Sequence, residues 1–84
     1  MERIGRYEIR RELGRGSMSI VYEGFDSRID RSLGIKVLRE HLARDVNARQ
    51  RFLREARAAG GLSHPNITTV FDVGQHAGLP FLAM

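Results

Sequence analysis

The sequence contains no cysteine. Disulfides and thiolate metal sites are thereby removed, and a reducing compartment fits. No apolar run approaches the ~20 residues of a membrane-spanning helix. The first residues, MERIGRYEIRREL, are charged from the second position on and lack the apolar stretch of a signal peptide. A soluble, cytoplasmic chain is the expectation. The three histidines, His41, His64 and His76, lie far apart and follow no ligand spacing, so no metal site is expected. Lysine is nearly absent as well: of 14 basic residues, Lys36 is the only lysine.

What is present suffices for one small domain. Apolar residues make up 42% of the 84 positions, enough for a core. The net charge of +4 comes from arginines scattered from Arg3 to Arg57, with acids among them. A nucleic-acid footprint clusters on one face and interleaves with aromatics. This scatter reads instead as a solvated, mixed-charge surface, and no nucleic-acid partner is expected.

Hydrophobic spacing predicts the elements. Tyr7, Ile9 and Leu13 fall on alternate positions and predict a strand over 7–13. A turn at Gly14-Arg-Gly16-Ser17 leads to a second strand over 20–25, IVYEGF, and LGIKVLRE gives a third over 33–40. Asp45 offers an N-cap to a helix over 46–59, with Ala48, Phe52, Ala56 and Ala59 on one face. Gly60-Gly61 is the expected helix stop, and SHPN, 63–66, is a turn. Strands over 67–74 and 79–84 complete the chain. The order β-β-β-α-β-β, joined by short turns, predicts an α+β fold: a five-stranded antiparallel sheet with one packed helix. The chain stops inside an apolar strand at Met84, the expectation for a truncated domain.

Three features carry candidate chemistry. A Gly-x-Gly pair is more often a structural turn than a ligand loop. Here the glycines open a strand rather than a helix, and no Gly-Lys-Ser/Thr follows. A phosphate-binding role would therefore make the loop a strand-turn-strand flap. Lys36 shares a strand face with Gly34 and Leu38, opposite Leu33, Ile35 and Val37. A lysine there either snorkels to water or needs a partner. Glu55 falls on the apolar side of the helix, beside Phe52, and is the candidate partner. A Lys36–Glu55 pair would hold the ammonium ready for an anion.

In register, YEIRRELGRGSMSIVYEG, LGIKVL, RFLREARAAGGLSHPNI and PFLAM resemble the N-terminal lobe of a eukaryotic-like serine/threonine protein kinase of the bacterial type. The resemblance covers nearly all of residues 1–84. It implies an ATP-binding lobe of five antiparallel strands and one helix. Gly14 and Gly16 would form the flap over the phosphates, and Leu13 and Val21 would wall the adenine pocket. Lys36 would contact the α- and β-phosphates with Glu55 as its partner, and Met84 would stand at the back of the pocket. His64 resembles the turn histidine of the family's HPN. Ser19 replaces the usual third glycine, and Leu33-Gly34 replaces the usual valine-alanine before the lysine. The His-Arg-Asp, Asp-Phe-Gly and Ala-Pro-Glu motifs are absent, so the general base, both Mg²⁺ ligands and the protein-substrate contacts of the family would lie beyond residue 84. The implied reaction is transfer of the ATP γ-phosphate to protein Ser/Thr hydroxyls, with the 84 residues inactive alone. A non-catalytic nucleotide- or partner-binding module of pseudokinase type is the alternative, and a basic RNA-binding α+β domain is a further rival.

Overall fold

The alternation in LGIKVL sets the architecture. In the computed structural model, which describes residues 3–61 and 72–84, this stretch lies in a strand whose two faces are both covered. The elements are β1 (Arg3–Ile4), β2 (Tyr7–Arg15), β3 (Ser19–Asp26), β4 (Arg31–Leu38), a 3-10 turn (Glu40–Leu42), α1 (Val46–Gly61), β5 (Asp72–His76) and β6 (Leu79–Ala83). They form one antiparallel sheet in the order β1-β2-β3-β4-β6-β5.

The described sheet thus has six strands, not five. The addition, β1, is two residues long, too short to show any alternation. Its turn into β2 needs Gly5, which has φ +59°. A Cβ on Gly5 would also lie 2.9 Å from Phe81 Cζ, so glycine is required there twice over. β2 runs on to Arg15, with register shifts between Ile9 and Arg11 and between Glu12 and Gly14. Gly14 therefore belongs to an irregular strand rather than to a turn. The third expected strand ends at Leu38, two residues early, where the chain enters the 3-10 turn.

Asp45 caps α1 as expected: the Ala48 N–H donates to its Oδ1 at 3.1 Å. The Gly60-Gly61 stop is a correction, because both glycines belong to the helix. Glycine costs a helix roughly 1 kcal/mol but does not forbid it. The expected turn over 63–66 and the first part of the fourth strand, 67–71, lie outside the described residues. The described part of that strand, β5, extends to His76. Ala77 and Gly78, both at positive φ, then make a tight hairpin turn into β6.

Alternation in β4 divides the core. Leu33, Ile35 and Val37 join Ile4, Tyr7, Phe81 and Ala83 on one face of the sheet. Leu38 and Leu82 meet Ala48, Phe52 and Ala56 of α1 on the other. The first face curls until the sheet's opposite edges meet. Tyr7 Oη donates to Asp72 Oδ2 at 2.9 Å, and Arg6 Nη2 lies 3.1 Å from the same oxygen. The Gly5 N–H donates to His76 Nδ1 at 3.1 Å. The second face, shared by Lys36 and α1, holds the site.

Candidate functional site

Strand register decides which side chains share this face. Directly opposed residues of antiparallel strands point to the same side. Val21 pairs with both Gly14 and Lys36, and Lys36 pairs with Leu82. This row faces α1. Lys36 is half-buried in it and lines a cavity of about 210 Å³. The loop residues Gly16 to Ser19 line the same cavity, as do Arg51, Phe52 and Glu55 of α1. Two cations and one carboxylate thus surround a space open to solvent, a balance that favours an anion.

The flap is held closed at its base. The Gly16 N–H donates to Ser19 O at 2.8 Å. On its outer flank Arg15 makes a two-pronged bond to Glu12, with 2.7 Å between Arg15 Nη2 and Glu12 Oε1. That bond holds the Glu12 carboxyl below its ordinary pKa.

Glycine at these positions is not required by the fold. A Cβ at Gly14 would meet nothing within 4 Å, and one at Gly16 would lie 3.8 Å from Ser19 O, an ordinary contact. Neither residue has positive φ. By contrast, a Cβ at Gly24 would sit 2.5 Å from Ile35 Cγ1. The protein's own packing thus leaves room for a side chain at both Gly14 and Gly16.

The structure brings together most of the candidate residues. Met84 exchanges two backbone hydrogen bonds with Gly34, of 2.8 and 2.9 Å. Its side chain fills the space over Gly34, where a built Cβ would lie 3.4 Å from Met84 Cγ. Leu13 sits apart from the cavity lining, on β2, and is 51% exposed. Lys36 and Glu55 line one cavity, but no ion pair joins them: the pairs among the described residues lie elsewhere. Glu55 is exposed, and an exposed carboxylate gains only about 0–1 kcal/mol from a partner. Arg51 carries no motif of its own in the sequence. Its signal is its place one helical turn before Glu55 and adjacent to Phe52.

Two other chemistries have less to work with. Among the described residues no three histidine or carboxylate side chains gather as a metal site. The five described aromatics are buried or half-buried, and Phe25 lies 4.2 Å beneath the Arg10 guanidinium, so they offer no open stacking platform. No described helix is long and apolar enough to cross a membrane.

Known proteins are similar to this chain in sequence and in fold. The chain is 41% identical over 80 residues to serine/threonine-protein kinase PrkC of Bacillus subtilis, a match that covers 95% of this chain and 12% of that one. It is 46% identical over 71 residues to serine/threonine-protein kinase PksC of Streptomyces coelicolor, covering 84% and 13%. The crystal structure of the PknI kinase domain of Mycobacterium tuberculosis superposes with a TM-score of 0.75 at 35% identity, over 95% of this chain and 32% of that domain. No family model matches. The chain spans 11% to 13% of the length of the curated relatives it matches.

Proposed function

We propose, for a chain that belongs by sequence and fold with the N-terminal lobe of the serine/threonine protein kinases, that the cavity under the Gly14–Ser19 flap seats the phosphates of ATP. The observation that carries this reading is the bare flap. Glycine stands at Gly14 where the fold leaves room for a side chain, across the strand row from half-buried Lys36. Backbone that must meet a phosphate closely is kept free of side chains.

In this reading Lys36 neutralises the α- and β-phosphates, and the flap's N–H groups cover them. Val21 and Leu13 flank the adenine, and Met84 closes the back of its pocket. Glu55 orients Lys36 once a bound nucleotide draws the two together. The complete kinase would transfer the γ-phosphate to Ser or Thr hydroxyls of a protein, on the cytoplasmic side of the cell. Its base, its Mg²⁺ ligands and its protein-substrate contacts would come from residues outside 1–84. The unmade Lys36–Glu55 pair favours a second reading, a nucleotide-binding lobe without catalysis. Turnover by the full-length protein separates the two.

Gly14→Ala tests the flap directly. Removing a glycine where the backbone tolerates a side chain stabilises a fold by about 0.4–1 kcal/mol. The melting temperature is therefore expected to hold or rise while ADP affinity falls. Unchanged ADP affinity would contradict the proposal.

A further inference from the structure

One residue outside the cavity lining holds the flap at two carbonyls. Arg39 leaves β4 three residues after Lys36. Its backbone N–H donates to Met18 O at 2.8 Å, which extends the β3–β4 ladder one rung past Ser19 and Leu38. Its guanidinium Nη1 donates to Gly16 O at 3.0 Å. The Met18 side chain, half-buried, rests on the Leu38–Phe52 cluster and presses the same loop tip onto the sheet.

We infer that Arg39 is a positioning residue for nucleotide phosphate: it fixes which way the Gly16–Ser17 peptide faces. A trans peptide carries its C=O and N–H on opposite edges. A Gly16 carbonyl held by Arg39 leaves the Ser17 N–H directed away from the guanidinium. Glycine at 16 lets a ligand approach closely, but it also lets this peptide flip, because glycine resists few backbone conformations. The charge-assisted bond from Arg39 offsets that freedom. Lys36 and Arg39 thus divide the work at one end of β4: the first lines the cavity beneath the loop, and the second orders the loop above it.

This inference rests on the nucleotide reading of the cavity. The test uses the full-length protein with Arg39→Met, which keeps a long apolar stem without donors, and Arg39→Lys, which restores one donor. Titration with ADP and with adenosine is paired with hydrogen exchange at the Ser17, Met18 and Ser19 amides. Arg39→Met is expected to weaken ADP about 3- to 10-fold, the worth of one hydrogen bond. It should leave adenosine affinity unchanged and speed exchange at the loop amides, and Arg39→Lys should recover part of both losses. Unchanged ADP affinity, or an equal loss for adenosine, would overturn the inference. If Arg39→Met fails to fold, Arg39→Lys alone decides: a smaller ADP-specific loss supports the role, and wild-type affinity and exchange overturn it. If the wild type binds no ADP, the nucleotide reading itself fails. Exchange then decides on the latch, which unchanged loop amides would refute and faster ones would support.

Discussion

Asp26 shows what single residues contribute away from the cavity. It ends β3, is 3% exposed, and accepts both the backbone N–H of Arg28 at 3.0 Å and that residue's guanidinium. The Arg28 side-chain bond is the main reason its carboxyl lies below the ordinary value; burial opposes the shift, and Arg6 adds to it. A depressed folded value means that the unfolded chain takes up the proton first as pH falls. The stabilisation is therefore present above about pH 4, the ordinary aspartate value, and is lost as pH drops through the lower folded value. Asp26→Asn should flatten the acid limb of melting temperature against pH. Identical acid limbs for the two proteins would show that Asp26 carries none of the acid sensitivity.

At the level of elements, α1 is fastened to the sheet chiefly through Phe52, which is 5% exposed against Leu38 and Leu82. Truncating a buried phenylalanine costs about 3–5 kcal/mol. A domain of this size commands roughly 4–13 kcal/mol in total. Phe52→Ala should therefore lower the urea midpoint sharply, and with it displace Arg51 and Glu55 from the cavity. A midpoint within error of wild type would mean that α1 is held by other contacts. Much of this element structure was legible in the sequence. Alternation in LGIKVL gave the correct faces for Leu33, Ile35, Val37 and Leu38, and Asp45 gave the helix start. What could not be read depends on distant partners. β1 is a strand only because Ile4 pairs with Tyr7 and is buried. The flap's tie to Arg39 joins residues 23 positions apart. Whether Glu55 meets Lys36 turns on side-chain exposure, which a helical wheel assigns only to the nearest face.

For the molecule as a whole, the sheet's two edges are fastened by Tyr7, Arg6 and Asp72 on one side of the sheet, while the cavity opens on the other. In the proposed reading the cavity takes a ligand's anionic end, with Lys36 and Arg51 among its lining residues. The domain presents no described metal cluster and, in that reading, no catalytic base. The 84 residues by themselves are expected to show no transfer of labelled γ-phosphate to a generic basic protein substrate. Clear turnover by this chain alone would require a catalytic site elsewhere in it. The most direct test of the central claim is calorimetric titration of ADP and adenosine into the full-length protein and its Lys36→Met variant, with circular dichroism of both. The account predicts that Lys36→Met keeps the fold and the adenosine affinity but loses ADP affinity at least ~10-fold, a difference of about 1.4 kcal/mol. Equal ADP affinity in the two proteins would contradict it.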